Sequence, residues 1–227
     1  MISSAARALL SVCLALLALA ATSNAPSLLA PDKGKFRILV GGQAAGKEEF
    51  EISSKGDNWI AHGTSEVQTP QGAARVTGTL ELKPDGTPVR YEWTMDGAKK
   101  ASSAVNFNGL IVSIELHLAG QRPFTQQLTF TSAPIAILDN NMYHQYAILA
   151  RLYDWEKKGA QTFSVLVPQE NTPGTVTVES LGKQEAGGGK FEELRVKTED
   201  LEIDLFLDGQ RLVRIVSPSA NAEIIRE

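Results

Sequence analysis

Hydrophobic and polar positions alternate with a period of two over most of this chain. In "GAARVTGTLELK", Val76, Gly78, Leu80 and Leu82 stand against Arg75, Thr77, Thr79 and Glu81. In "VRYEWTMD", Val89, Tyr91, Trp93 and Met95 stand against Arg90, Glu92, Thr94 and Asp96. "LIVSIELHL", "LTFTS" and "LEIDLFLD" continue the pattern. Such alternation predicts half-buried strands with one apolar face. Between the runs lie Pro84-Asp85-Gly86, Asp96-Gly97, Asn108-Gly109 and Asp208-Gly209. These residues tolerate the positive φ of tight hairpin turns, and strands joined so tightly are antiparallel. The spacing predicts a mainly β domain, a curved antiparallel meander of about 12–13 strands. Half-barrel, closed barrel and two packed sheets all satisfy the alternation.

One segment departs from the period, "LDNNMYHQYAILARLYDWEKKG", residues 138–159. It predicts one helix over about 139–158. Asp139 is the expected N-cap, and Leu138 and Tyr143 form a hydrophobic staple. Lys157 and Lys158 suit the C-terminal end, which Gly159 closes. Met142, Tyr146, Leu149 and Tyr153 stack on one side, widened by Ile148, Leu152 and Trp155. The remaining arc carries Tyr143, His144, Ala147, Arg151 and Asp154. A lone helix with so wide an apolar face needs a large apolar surface, so it is expected on the concave face of the sheet. Either a ligand cavity lies beside it, or the helix fills the concavity.

"FRILVGGQAAGKEEFEI" contains Gly41 through Lys47 in the spacing of a phosphate-binding loop. That loop needs Ser or Thr after its lysine and must open a helix. Here Glu48 follows, and Glu49 and Glu51 alternate with Phe50 and Ile52 as in a strand. The stretch reads as a hairpin, and no nucleotide is expected.

The N-terminus changes the compartment. Arg7 is the only charge before Asp32, and an apolar run, "ALLSVCLALLALAA", occupies residues 8–21. The run is shorter than the ~20 residues that span a bilayer. With the small residues Ala18 and Ala20 it reads as a cleaved signal peptide, residues 1–20, and export to the periplasm or medium. The alternative is an uncleaved membrane anchor. Residues 21–35 read as a flexible leader, and 36–227 as one domain. Cys13 is the sole cysteine and lies within the signal, so the mature chain has neither disulfide nor thiolate chemistry. With 22 basic and 26 acidic side chains and no basic block, nucleic acid and anionic membrane surfaces are not expected partners.

Candidate chemistry is sparse. His62 and His117 fall on polar strand faces. His144 shares a helix arc with Tyr143 and Arg151 and is a candidate binding or acid–base group. An exposed helix histidine is the plainer reading. No zinc motif or nucleophile elbow is present, and no metal or cofactor is expected. Asp139, Asp154, Asp204 and Asp208 show no spacing that singles out a glycosidase pair. Trp59 and Trp93 sit in apolar sets, as core residues do. The candidate ligand-binding residues are Tyr143, His144, Tyr146, Arg151 and Trp155, and no catalytic residue is assigned.

The C-terminal stretches "QTFSVLVPQ", "VTVESLGKQE" and "LRVKTEDLEIDLFLDGQRLVRIVSPSANAEIIRE" resemble the C-terminal half of exported bacterial domains of unknown function with curved antiparallel sheets. At fold level they are similar to the periplasmic lipoprotein-localisation carriers, half-barrels that shelter acyl chains beneath helices. The resemblance implies a non-enzymatic exported protein that binds a lipid-like, apolar or amphipathic molecule, or an envelope partner. The alternatives are an envelope glycan or lipid hydrolase using the His144 region, and a structural or assembly protein using exposed strand edges.

Overall fold

The computed structural model describes residues 27–69 and 72–227. The expected signal peptide, with Cys13, and the first part of the expected leader lie outside them. The described residues form β1 (Asp32–Val40), β2 (Gln43–Lys55), β3 (Asn58–Thr69), β4 (Gly72–Leu82), β5 (Pro88–Asp96), β6 (Ala101–Asn108), β7 (Ile111–Leu118), β8 (Phe124–Thr129) and β9 (Ile135–Ile137). There follow α1 (His144–Leu152), β10 (Gln161–Val167), β11 (Thr172–Ala186), β12 (Gly189–Lys197), β13 (Glu202–Asp208), β14 (Arg211–Ser217) and β15 (Ala222–Arg226). The protein is mainly β, with one helix among the described residues.

All fifteen strands belong to one open sheet, ordered β8-β7-β6-β5-β4-β3-β2-β1-β15-β14-β13-β12-β11-β10-β9. The order is two meanders joined where β15 pairs with β1. Fifteen strands exceed the 12–13 counted from alternation. β9 has three residues, buried without exception, so no alternation marks it. Register shifts at Ile38/Leu39, Glu81/Leu82, Ser180/Gly182 and Phe206/Leu207 mark bulges, which increase local twist and help the sheet to curl. The curl brings the edge strand β9 against β5, far away in strand order.

Every strand pair but one is antiparallel. β9 and β10 run parallel, and α1 lies in the crossover between them. A parallel pair cannot be joined by a hairpin. The one helix is therefore the connection that this pair requires. It packs against β14 and β9, and side-chain bonds described below tie it to β2 and β1. Leu149 and Ala147 are sealed from solvent, as are Met142 just before the helix and Leu205 and Leu212 on the C-terminal strands.

The helix is shorter than its periodicity predicts. It runs from His144 to Leu152, and Tyr143, the N-cap, makes no side-chain cap bond. Asp139 does not cap it. Asn141 takes a left-handed φ of 62°, which separates residues 139–142 from the helix. At the other end Tyr153 is extended, and Asp154 Oδ1 accepts from Glu156 and Lys157 N–H in a separate turn. Met142 before the helix and Tyr153 after it are buried like the helix's own apolar residues, and with Trp155 they imitate one long helical stripe.

Residues 27–35 of the expected leader pack onto the sheet. Leu29 is buried, Leu28 N–H donates to the Pro84 carbonyl, and β1 starts at Asp32. The phosphate-loop lookalike is the β1–β2 hairpin, turning at Gly41 and Gly42 with φ of 59° and 76°. These are left-handed values that glycine adopts without a Cβ penalty. The outer face of the N-terminal half carries exposed cross-strand pairs, such as Lys35–Glu49 and Arg75–Glu66, each of which adds little stability.

Because α1 covers the inner face, truncating Leu149 should cost about 2–5 kcal/mol in urea unfolding. Lys100→Ala, on the surface, should stay within about 0.5 kcal/mol.

Candidate functional site

The first turn of α1 buries backbone N–H groups that have no partner within the helix. Glu48 of β2 supplies the acceptor. Its Oε2 accepts from Tyr143 N–H at 2.9 Å and His144 N–H at 3.1 Å, and its Oε1 lies 2.6 Å from His144 Nδ1. Both side chains are sealed, Glu48 at 0% and His144 at 1% exposure. An anionic acceptor at a helix N-terminus also meets the positive end of the helix dipole. A carboxylate only accepts, so Nδ1 carries the ring proton in this contact.

The pocket for the imidazole is built from small and flat residues. Phe50 stacks on the His144 ring at 5.7 Å and Phe36 on Phe50 at 5.1 Å, while the Arg226 guanidinium lies 5.2 Å from the Phe50 ring centre. Gly63 has no side chain here, and a Cβ would stand 2.5 Å from His144 Cε1 and 2.7 Å from Nδ1. Its register partner Gly78 makes the same room for Tyr91, whose hydroxyl would stand 2.7 Å from a Cβ there.

A second buried carboxylate sits beside the first. Asp139 Oδ2 accepts from Tyr91 O–H at 2.9 Å, and Oδ1 accepts from Gln169 and Asn140 N–H. Asp139 N–H in turn donates to Gln145 Oε1 at 2.6 Å. Burial outweighs these bonds and raises the Asp139 carboxyl to about 6. Burial also raises the Tyr91 and Tyr143 phenols, and takes that of Tyr146 to about 12. Asp139, Glu48 and their partners thus hold the start of α1 to the N-terminal half of the sheet.

Further along the helix, Arg151 donates to the Ala30 carbonyl at 2.7 Å and lies 3.6 Å from Asp32, which also pairs with Arg226 at 2.6 Å. Beyond Arg151 the roof opens. A cleft of about 750 Å³ lies at the C-terminal end of α1, lined on its apolar side by Leu28, Leu152, Trp155 and Phe163. Asp85, Arg151, Lys157 and Gln210 supply polar edges. Leu28 is 46% exposed and Trp155 40%. The indole is held edge-on by Tyr153 at 5.1 Å, and the Tyr153 hydroxyl donates to the Gly159 carbonyl and accepts from Ser180 N–H. A hollow of similar size lined by Ala45, Val67 and Ala74 has no aromatic wall.

The structure divides the five residues singled out from the sequence. Arg151 and Trp155 line the cleft. Tyr143, His144 and Tyr146 do not: His144 is sealed at the start of the helix, and the two tyrosines beside it are partly buried against the core. His144 is not an exposed helix histidine, because Glu48 and Gly63 draw it into the core. Trp155 leaves the apolar side predicted for it, because the helix ends before it. His62 bonds Thr79 and His117 bonds Glu115 on the outer face, and Trp93 is core. Asp204 is not solvated; Arg195 pairs with it at 2.7 Å. Sequence reasoning passed over Glu48, Leu28 and Asp139's buried role. The signal for Glu48 was present: it shares the phase of Phe50 and Ile52, the buried face of β2. Among the described residues no group of His, Cys, Asp and Glu is arranged to hold a metal ion. No family model, curated protein or solved structure matches the chain, so no residue role is carried over from a relative.

Glu48→Ala removes the acceptor of two buried N–H groups and one ring, and should cost about 3–5 kcal/mol in urea unfolding at neutral pH. Glu48→Gln, which keeps one oxygen acceptor, should cost less. Gly63→Ala should be destabilising through the same contact.

Asp139 titrates in the opposite sense from a paired surface carboxylate. Between its ordinary 3.8 and about 6, the folded state holds a proton that the unfolded state has released. Its contribution to stability therefore falls as pH rises through that window, by about 3 kcal/mol in all. Asp139→Asn keeps an oxygen acceptor and cannot ionise. The wild-type protein should lose stability relative to this variant as pH rises from 4 to 7, measured by urea unfolding across that range.

Proposed function

We propose that the chain is an exported, non-enzymatic binding protein whose ligand, an apolar or amphipathic small molecule, seats in the cleft at the C-terminal end of α1. The observation that carries this reading is the pairing of two large exposed apolar side chains, Leu28 and Trp155, in one cleft. An open aromatic wall in water is unfavourable unless something covers it. The volume lies in the range of small-molecule sites, and an apolar floor with few polar edges suits a molecule with one greasy and one polar end. Tyr153 holds the indole in place before binding, which lowers the ordering cost. The shelter proposed here is at the mouth of the curled sheet and not beneath the helix, where side chains fill the space. Export rests on the N-terminal sequence alone.

The hydrolase reading has one observation in its favour, the Glu48 carboxylate within hydrogen-bond reach of the His144 ring. His144 Nε2, however, is buried with no partner among the described residues. Among the described residues no hydroxyl bonds it, and the ring is sealed from solvent. The arrangement supports anchoring of the helix rather than acid–base work.

Dodecanoate and an environment-sensitive naphthalene probe test the binding reading. Wild-type protein should bind one or both with saturation and compete between them. Trp155→Ala and Leu28→Ser should weaken binding by about tenfold or more while leaving the unfolding midpoint nearly unchanged, since both residues are exposed. Unsaturable binding, or equal binding by the wild-type protein and both variants, would overturn it.

A further inference from the structure

The two edges of the sheet are finished differently. β9 is three residues long, follows Pro134 and is buried throughout, so no strand can be added there. β8, "FTQQLT", is exposed or half-exposed throughout. It carries no charged residue and no proline, and it pairs with β7 without a register shift. Charge, proline and bulge are the means by which open edges are kept from recruiting further strands, and β8 has none of them. Its outward N–H and C=O groups are free to pair, and Phe124 beside them is 51% exposed.

The pattern of β8 is self-complementary when reversed. A two-fold axis through Gln126 sets Phe124 opposite Leu128 of a second copy, Thr125 opposite Gln127 of that copy, and Gln126 opposite itself. Cross-strand partners share a face of the sheet. By alternation Phe124, Gln126 and Leu128 lie on the inner face, in register with Leu116, Ile114 and Val112, so the apolar side chains meet there on either side of the paired Gln126, and Thr125 and Gln127 meet outside. The rows continue inward, because Phe124 is in register with Leu116 and Leu128 with Val112. Val112 and Leu128 of one copy would thus run on into Phe124 and Leu116 of the other. A two-fold contact places the side chain on its axis next to its own image, so a charge at position 126 would repel itself. β8 has a glutamine there.

We propose that the chain forms a two-fold homodimer by antiparallel pairing of β8 with β8 of a second copy, centred on Gln126, to make one continuous sheet. Sedimentation velocity on the full chain tests it. Wild-type protein should sediment as a dimer at about 50 μM and dissociate on dilution, as mass action requires. Gln126→Lys and Gln126→Glu should each sediment as monomers, since like charges meet on the axis. Their equimolar mixture should recover the dimer. Phe124→Ser, on an exposed edge position, should weaken association by about tenfold or more with an unchanged circular dichroism spectrum. A wild-type monomer at that concentration would overturn the proposal. So would a dimer that survives Gln126→Lys, or a charge-paired mixture that stays monomeric.

Discussion

A curled sheet with an apolar inner face needs a roof, and the roof brings buried backbone with it. That constraint governs this molecule. The roof is a two-to-three-turn helix, too short to be stable alone. Its leading N–H groups face the core, where an unpaired donor costs about 1–3 kcal/mol. Glu48 meets them from β2, some 95 residues earlier in the chain. Gly63 leaves room for the histidine ring that comes with the helix, and Phe50 stacks upon it. The contact joins the two meanders across the concavity.

Fixing one end of the helix leaves the other end as the place for exchange with solvent. At the N-terminal end Glu48 holds the leading N–H groups of the helix, and Tyr91, Asp139 and Gln145 form a buried polar cluster in which burial lifts the Asp139 carboxyl. At the C-terminal end the chain turns away at Tyr153 and exposes Trp155. The same asymmetry holds for the sheet. The edge nearest the helix is three residues long and sealed, while the edge of the N-terminal half is six residues long, exposed or half-exposed, and uncharged. The sealed and the open features are thus separated in space, so changes at the open ones need not disturb the closed one.

Much of the fold was legible as alternation and punctuation. β4, β5 and β7 stand out because one face meets core and the other water, and the turn residues between them have few alternatives. β9 was less legible, since a strand buried on both faces does not alternate. The helix was legible in kind but not in extent. Residues flanking a helix can be buried for the same reason that its own are, and Met142 and Tyr153 extended its apparent period.

The candidate site divides along the same line. Arg151 and Trp155 were visible as an aromatic and a cation beside a helix, but which end of the helix opens depends on where its backbone stops. His144 looked like a surface residue because its arc is polar, and only the arrival of Glu48 from another strand makes that arc an interior. By itself the sequence determined the strands, the hairpins and the need for one apolar-faced helix, because these follow from burial periods within a few consecutive residues. The tertiary structure alone decided the partner of the helix terminus, the parallel pair and the place of the cleft, because each joins residues far apart in the chain, and local pattern carries no record of such distant neighbours.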